Sequence, residues 1–354
     1  MRIALNGAGR IGRTVLRALL TREIPVDLVA INDLATVDNL AYLLAHDSVR
    51  GQLGHRLEVR GQQLTLGRFE VRCTAASSPA AVDWTGVDLV IEATGQFTDA
   101  AAARMHVRGD VAHVIVTAPS AGADATIVGG YNDAILDPAQ TVISTASCTT
   151  NCLVQVLAVL DVAFGIEAGL VTTVHSYTAD QALTDKPHSD PRRGRAAGIN
   201  IVPTTTGAAI AAGLVVPHLA DRLDGRSLRV PIPDVSMADI SMILGAETSV
   251  EALNDALEGA AAASETLAMW RGPVVSSDVL GAKESAVVDG DLTQVVGRLA
   301  KVFAWYDNEW AYANRVVDVI ERLTAALDSA APEASAALAA THDYTDIPIE
   351  LIPS

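Results

Sequence analysis

The segment Thr145-Ala-Ser-Cys-Thr-Thr-Asn-Cys152 contains the best candidate for a nucleophile in the chain. A β-type run over residues 141–145 precedes it, and apolar residues at helical spacing follow it over residues 153–164. Cys148 is therefore expected at the first turn of a helix, where free backbone N–H groups and the helix dipole favour a thiolate over a thiol. The alternative interpretation is a small buried residue in a polar turn, because free cysteine is among the most buried residue types.

A histidine lies close behind, near the end of a β-type run that starts at Gly169. An imidazole beside a cysteine first stabilises the thiolate and then transfers protons as a general base. His175 is the candidate for that role, although a single histidine on a strand is more often an ordinary core or surface residue. The two residues together predict covalent catalysis at a carbonyl carbon.

The loop over residues 184–200 and the segment after it carry donors that suit a small phosphate. The loop has three arginines within four positions: Arg192, Arg193 and Arg195. The next segment adds hydroxyls and a glycine backbone at Thr205, Thr206 and Gly207. Arg229, after a further β-like segment, is a second phosphate candidate. For at least one loop arginine, a surface or intersubunit salt bridge is the competing interpretation.

A glycine pattern at the start of the chain predicts a dinucleotide site. Gly7, Gly9 and Gly12 follow the β run of residues 2–5 and lead into an amphipathic helix, a spacing that brings backbone close to a pyrophosphate. Asp33 ends the next strand, about 20 residues further on, where a carboxylate binds the adenosine ribose and repels a 2′-phosphate. This favours NAD over NADP. The competing interpretation is an ordinary βα turn with Asp33 as a cap.

Two more apolar strands, within residues 87–95 and 113–119, end in small residues that suit the cofactor edge of such a sheet. The candidates to line that edge are Thr94, Gly95 and Thr117. Residues 52–59 and 64–72 alternate like antiparallel hairpin strands added at the sheet edge, and Cys73 beside them is interpreted as structural. The first half is therefore predicted to be a Rossmann-type, doubly wound α/β domain.

The second half mixes β-type runs at residues 238–245 and 301–306 with a helix over residues 249–263. This predicts an α+β domain with a mostly antiparallel sheet and helices on one face. A final helix through Leu323 precedes an Ala-rich tail, interpreted as a helical fragment and a loosely ordered end.

Composition limits the function classes. A net charge of −17 argues against nucleic acid or an anionic membrane as the main partner. Three cysteines without a CxxC pair indicate a reducing compartment, and the chain shows neither a signal peptide nor a membrane span, so we expect a cytoplasmic protein. No metal is expected, because Cys148 and Cys152 lack further ligands nearby.

Several blocks in order resemble glyceraldehyde-3-phosphate dehydrogenase over nearly the whole chain. They are Asn6-Gly-Ala-Gly-Arg-Ile-Gly-Arg13, Ile31-Asn-Asp33, His46-Asp-Ser-Val49, Ala146-Ser-Cys-Thr-Thr-Asn-Cys-Leu153, His175-Ser-Tyr-Thr178, Pro203-Thr-Thr-Thr-Gly-Ala-Ala209, Arg229-Val-Pro231 and Trp305-Tyr-Asp-Asn-Glu-Trp310. The resemblance implies an NAD-binding domain over residues 1–147, a catalytic domain over 148–312, a helix at 313–330 that returns to the NAD domain, and an extra tail at 331–354.

The resemblance also implies an activity, the NAD-dependent oxidative phosphorylation of D-glyceraldehyde 3-phosphate through a Cys148 hemithioacetal and thioester, with His175 as base. It implies that inorganic phosphate is held by Ser147, Thr149, Thr206 and Gly207, with Arg192 or Arg195. The substrate's own phosphate would be held by Thr178, Asp180 and Arg229. NAD would be contacted by Arg10, Ile11, Asp33, Thr117 and Asn308, and the assembly would be a homotetramer.

Two positions depart from the family pattern and bear on the cofactor. Ser77 stands where the family commonly has an arginine on the adenine side, and Lys186 stands where it has an apolar residue before a proline. Three alternatives stay open at this point: an erythrose-4-phosphate dehydrogenase, an inhibitor-resistant secondary isoform, and a binding protein that has lost catalysis.

Overall fold

The computed structural model describes residues 1–340, and the loosely ordered tail predicted for the last residues of the chain lies outside them. The first unit begins with a strand, a helix and a second strand, the order that the glycine pattern predicts. Its elements are β1 (Arg2–Asn6), α1 (Arg10–Thr21), β2 (Asp27–Asn32), α2 (Val37–Ala45), β3 (His46–Asp47), β4 (Gly51–Gln52), β5 (Leu57–Arg60), β6 (Gln63–Leu66), β7 (Phe69–Thr74), β8 (Leu89–Glu92), α3 (Ala100–Ala103), β9 (His113–Val116), β10 (Ala125–Thr126) and β11 (Val142–Ser144).

Nine of these strands form one sheet in the order β10-β11-β9-β8-β1-β2-β7-β6-β5. The pairs from β10 to β7 are parallel, with β1 between β2 and β8. Because the chain leaves β1 first toward one side and later toward the other, the carboxyl end of β1 is the switch point at which such sheets bind ligands. The doubly wound prediction is confirmed.

The hairpin predicted at the sheet edge is present but divided differently. The run over residues 64–72 is two strands, β6 and β7, because the chain turns at Gly67, whose φ is +59°. The run over residues 52–59 contains only the end of β4 and the start of β5. Cys73 is buried within β7, and burial raises the pKa of its thiol to about 11, which suits a structural residue.

The second unit begins at Cys148 with a long helix. Its elements are α4 (Cys148–Phe164), β12 (Ile166–Ser176), β13 (Val202–Thr205), α5 (Ala208–Val215), β14 (Leu223–Val230), β15 (Ser236–Leu244), α6 (Val250–Ala262), β16 (Leu267–Trp270), β17 (Ala286–Asp289), β18 (Gln294–Val296), β19 (Leu299–Tyr306) and α7 (Trp310–Ala340).

The second sheet has the order β13-β14-β12-β15-β19-β17-β16, with β18 on β19. Most neighbours are antiparallel, as predicted, but β12 with β14 and β16 with β17 are parallel. Helices α4, α5 and α6 share one apolar core with this sheet, whereas α7 places Val316 and Ile320 in the core of the first unit. The chain thus crosses between units at α4 and again at α7.

No helix among the described residues is both long and apolar enough to cross a membrane. Among residues 1–329, whose side chains the structure describes, no group of three His, Cys, Asp or Glu side chains lies close enough together to hold a metal ion.

Candidate active site

Cys148 lies at the first turn of α4, directly after the end of β11. The Ser147 side chain caps the helix by accepting a hydrogen bond from Thr150 N at 3.0 Å. The turn is tight, because the buried Ala146 has a φ of +55°, in the left-handed region that side chains other than glycine rarely adopt. This turn places the Cys148 side chain at the start of α4, between the end of the first sheet and the second unit.

His175 is brought to the same point by β12, whose last residue is Ser176. Its Nε2 atom lies 3.6 Å from the Cys148 Sγ atom, and its Nδ1–H donates to the Ser176 carbonyl oxygen at 2.8 Å. That second bond fixes the tautomer, so the Nε2 lone pair faces the thiol. The pair predicted from sequence is therefore in contact.

Burial sets the charge state of this pair. Burial, reinforced by the Arg229 charge, lowers the pKa of His175 to about 3, so the imidazole is neutral. Burial also raises the pKa of the Cys148 thiol, while Arg229 and a hydrogen bond from Thr149 act in the opposite direction. The thiolate that the helix N-terminus predicts is thus opposed by desolvation. A neutral His175 can take the thiol proton as the sulfur attacks.

Arg229 forms the positive wall of this site. Arg229 lies opposite His175 in the register of the parallel strands β14 and β12. Its Nη1 atom donates a hydrogen bond to Thr178 Oγ1 at 3.2 Å. Within the described chain, Arg229 Nε is buried without a hydrogen-bond partner. A half-occupied guanidinium beside a threonine hydroxyl can bind a phosphate.

The loop arginines differ from the prediction. Arg192 is exposed, and Arg195 is exposed and paired with Asp185 at 2.9 Å. Arg193, one of the three loop arginines but not one to which the resemblance gives a role, is half-buried and close enough to Arg229 to lower the pKa of that guanidinium, after the larger effect of burial. Arg193 is therefore the loop arginine that the structure brings to the site.

Asp180 is bound to side chains of the same loop. Its carboxylate accepts from Arg193 Nη1 at 2.8 Å and lies 3.4 Å from His188 Nε2. These contacts orient the Arg193 guanidinium, and the predicted role of Asp180 beside the substrate's phosphate stays a prediction. Thr204 supports the same guanidinium through its hydroxyl at 2.8 Å.

Thr149 and Tyr306 form a buried pair next to the nucleophile. Their hydroxyls lie 2.8 Å apart, and the edge of the Tyr306 ring faces the His175 ring with centroids 6.1 Å apart. Thr206 and Gly207 stand at the start of α5, where the Thr206 hydroxyl accepts a hydrogen bond from Ala208 N at 3.2 Å. Tyr306 belongs to the block Trp305–Trp310, but nothing in the neighbouring sequence marks it as a site residue.

The glycine loop has the shape that a dinucleotide requires. Gly7 has a φ of +92°, and a Cβ there would lie 2.7 Å from Thr94 N. A Cβ at Gly12 would lie 2.1 Å from the Gly7 carbonyl oxygen, whereas one at Gly9 would meet no atom within 4 Å. Gly7 and Gly12 thus pack tightly against the protein, whereas the space beside Gly9, at the N-terminus of α1, is free. Among the described residues, no side chain caps this N-terminus. These residues fit a pyrophosphate.

Asp33 stands at the end of β2 beside this loop. Its carboxylate is oriented by Ala8 N at 2.7 Å and Ala35 N at 2.8 Å, and it is partly exposed. Thr94 and Gly95 follow β8, and Thr117 follows β9, so all three lie at the carboxyl edge of the sheet as predicted. Thr117 Oγ1 donates to the Glu92 carbonyl oxygen at 3.1 Å.

Asn308 follows β19 and is held in place by two strands of the catalytic sheet. Its Oδ1 accepts from Ser176 Oγ at 3.0 Å and from Ser236 Oγ at 2.7 Å, which leaves its Nδ2 hydrogens to donate to a ligand amide. The two serines were not predicted, because single serines at strand ends carry no sequence signal. Each belongs to a strand of the catalytic sheet.

Arg10 and Ile11 open α1, both partly exposed. The Arg10 guanidinium is bound to Asp47 and to Glu309, so its side chain is occupied by protein carboxylates. What Arg10 and Ile11 offer a cofactor is their backbone N–H groups at the start of the helix.

Models of two domains of one protein family match the chain. The model described as glyceraldehyde 3-phosphate dehydrogenase, NAD binding domain, matches residues 1–100. The model described as glyceraldehyde 3-phosphate dehydrogenase, C-terminal domain, matches residues 147–308. The matched segments contain the glycine loop, Cys148, His175 and Asn308.

Full-length relatives agree with these models. The chain is 48% identical over 329 residues to a glyceraldehyde-3-phosphate dehydrogenase of Kitasatospora aureofaciens, covering 92% of this chain and 99% of the relative. It is 48% identical over 324 residues to glyceraldehyde-3-phosphate dehydrogenase 1 of Streptomyces avermitilis, covering 90% and 97%. It is 46% identical over 330 residues to a glyceraldehyde-3-phosphate dehydrogenase of Mycobacterium tuberculosis, covering 90% and 97%.

Proposed function

Because the chain belongs to the glyceraldehyde-3-phosphate dehydrogenase family and is an NAD-dependent oxidoreductase acting on an aldehyde, we propose that its reaction is the oxidative phosphorylation of D-glyceraldehyde 3-phosphate to 1,3-bisphosphoglycerate. The observation that carries the proposal is the contact of 3.6 Å between Cys148 Sγ and His175 Nε2, with Arg229 alongside. NAD, when bound, supplies the hydride acceptor.

The first step forms the bond between Cys148 and the substrate. The sulfur attacks the aldehyde carbon while Nε2 of neutral His175 takes the thiol proton, giving the oxyanion of a hemithioacetal and an imidazolium. The protonated ring can return that proton to the oxygen that develops on the carbon. His175 then removes the hydroxyl proton again as the carbon loses its hydride, and a thioester to Cys148 remains.

The second step releases the product. An oxygen of inorganic phosphate attacks the thioester carbon, the C–S bond breaks, and the sulfur leaves as a thiolate that recovers its proton from His175. Nothing but phosphate needs to enter for this exchange, so the oxidation energy held in the thioester is kept in the acyl phosphate.

The reaction needs two anion sites, and the chain offers groups for both. Arg229 on β14 and Thr178, two residues beyond β12, are proposed for the substrate's own phosphate, with Arg193 as the nearby loop arginine. Inorganic phosphate is assigned to Ser147 and Thr149 at the start of α4 and to Thr206 and Gly207 at the start of α5, where the backbone N–H groups of both helices add to the attraction. Arg192 and Arg195 are left out because both are exposed and Arg195 is paired with Asp185.

The test replaces Cys148 by alanine. The Cys148→Ala variant is expected to bind NAD with unchanged affinity in a calorimetric titration, because the glycine loop and Asp33 are intact. It is expected to form no acyl adduct in an intact-mass measurement and no NADH. Full turnover by this variant would exclude the covalent route.

A homotetramer in the cytoplasm is part of the same proposal. The catalytic sheet exposes apolar side chains on the face opposite its helices, among them Leu170, Ile243, Val296 and Leu299. A patch of this kind on a dehydrogenase suits contact with further copies of the chain. All three cysteines are unpaired, which suits a reducing compartment. Light scattering on the purified chain measures the assembly, and a monomer at micromolar concentration would contradict it.

A further inference from the structure

Arg50 is a buried arginine that the reaction described above does not use. It lies in the NAD-binding unit, in the turn between β3 and β4, and its side chain is 8% exposed. Its guanidinium forms a two-pronged contact with Asp307, from Nη1 to Oδ2 at 2.7 Å and from Nη2 to Oδ1 at 2.5 Å. Nη2 also contacts Asp234, and Glu309 lies 3.7 Å away.

Every one of these carboxylates belongs to the other unit. Asp307 and Glu309 follow β19, and Asp234 precedes β15. Asn308, between Asp307 and Glu309, is the residue proposed to face the nicotinamide. Arg50 therefore holds the segment 307–309 from the side of the NAD-binding unit.

A second arginine of that unit acts on the same segment. Arg10, at the start of α1, binds Glu309 and contacts Asp47 at 2.5 Å. Asp47 in turn accepts from Val49 N at 2.9 Å and Arg50 N at 2.8 Å. The N-terminus of α1, which faces the pyrophosphate, is thereby linked through charged contacts to the segment that carries Asn308.

We propose that Arg50 is a positioning residue: it fixes Asp307–Glu309 against the NAD-binding unit and so sets the position of the cofactor relative to Cys148. This inference rests on the proposed function and adds a residue to it. A two-pronged guanidinium contact fixes direction as well as distance, which a single ion pair does not. A displacement of about 1 Å between reacting groups can cost about 100-fold in rate.

The charges around Arg50 support a neutral, closed junction. The charged groups that face it are two further arginines, Arg10 and Arg17, and four carboxyl groups, Asp234, Asp307, Glu309 and Asp47. Burial, with the charge of Asp307, raises the pKa of Asp234 to about 8, so one carboxyl keeps its proton at neutral pH. Asp307 also accepts from Gly281 N at 2.8 Å and Trp310 N at 2.7 Å, which fixes its position in the catalytic unit.

The experiment compares Arg50→Met and Arg50→Lys with wild type, using Arg56→Met as the matched control. Arg56 lies in the same unit and also pairs with a carboxylate, Glu58, but its side chain is 59% exposed. The readouts are kcat, KM for NAD, KM for the aldehyde substrate, and the NAD dissociation constant from tryptophan fluorescence. Trp310, whose ring centre lies 5.8 Å from Arg50 Cζ, reports on this junction.

Arg50→Met is expected to lower kcat by about 10-fold to 100-fold and to raise KM and Kd for NAD by about 3-fold to 10-fold. KM for the aldehyde stays within about 2-fold, because Arg229 and Thr178 belong to the catalytic unit. Arg50→Lys keeps the charge but loses the two-pronged contact. Its kcat and its KM and Kd for NAD are expected to lie between those of wild type and of Arg50→Met. If Arg50 only stabilised the fold, Arg50→Met would lower the melting temperature but would not raise KM for NAD while leaving KM for the aldehyde unchanged.

The inference is overturned if folded Arg50→Met has kcat and NAD affinity within about 2-fold of Arg56→Met. If Arg50→Met does not fold, Arg50→Lys decides, and wild-type values of kcat and NAD affinity in it overturn the inference. An inactive wild-type enzyme would instead remove the proposed function, while the effect on NAD affinity would still test Arg50.

Discussion

Replacing His175 by asparagine removes the imidazole that contacts the Cys148 thiol. The structure gives this change a specific consequence, because the contact of 3.6 Å joins a thiol whose pKa burial raises to a base whose pKa burial lowers to about 3. Without Nε2, the thiol must lose its proton to solvent. A positioned general base contributes a factor of about 10² to 10⁴, so kcat should fall by that factor, or about 3 to 5 kcal/mol in the barrier.

The pH profile separates this role from a loss of fold. Since the wild-type imidazole is neutral above its lowered pKa, kcat should show no His175 titration between about pH 5 and pH 7. In His175→Asn, kcat should instead rise about tenfold per pH unit until the thiol ionises. Initial rates of NADH formation and of Cys148 alkylation by iodoacetate measure both effects. His218→Asn, at an exposed histidine, is the matched control. A kcat within about tenfold of wild type and an unchanged profile would refute the reasoning.

Three further substitutions address the cofactor, the junction and the phosphate site. Asp33→Ser should shift the ratio of kcat/KM toward NADP by about tenfold, or about 1.4 kcal/mol, because the carboxylate that repels a 2′-phosphate is gone; an unchanged ratio in steady-state assays would contradict this. Asp234 keeps a proton in the folded state up to a pKa of about 8, whereas its unfolded value is 3.8, so wild-type stability should fall as pH rises through that window. The urea midpoint of wild type should therefore be lower at about pH 8 than at about pH 4, and Asp234→Asn should show a smaller difference between these two pH values. An equal difference in the variant and in wild type would contradict the raised pKa of Asp234. Tyr306→Phe removes the bond to Thr149 and should raise KM for inorganic phosphate by about 3-fold to 10-fold with an unchanged KM for the aldehyde; a change in the aldehyde KM alone would argue against it.

Much of the site could be predicted from sequence because its signals are local. The spacing of Gly7, Gly9 and Gly12 between a strand and a helix follows from the close approaches that the structure shows at Gly7 and Gly12. Cys148 at a helix start and His175 near a strand end are likewise set by short segments. Their contact was inferred from chemistry, and the adjacent ends of α4 and β12 supply the geometry.

What could not be predicted depends on contacts between distant segments. Arg50 and Asp307 are 257 positions apart, so no periodicity relates them. Among three neighbouring arginines, the half-buried Arg193 is distinguished from Arg192 and Arg195 only by Thr204 and Asp180, which the loop brings to it. The pKa of the Cys148 thiol also depends on burial and on the charge of Arg229, which lies 81 positions away in the chain and acts in the opposite direction.

The most direct test of the account is NADH formation from D-glyceraldehyde 3-phosphate with and without inorganic phosphate, at substoichiometric and saturating substrate. The covalent route predicts a single burst of NADH, one per active Cys148, without phosphate, and continuous turnover with acyl phosphate as product once phosphate is added. Continuous turnover to the free acid without phosphate would contradict the phosphorylating reaction, and the absence of any burst would contradict the Cys148 thioester.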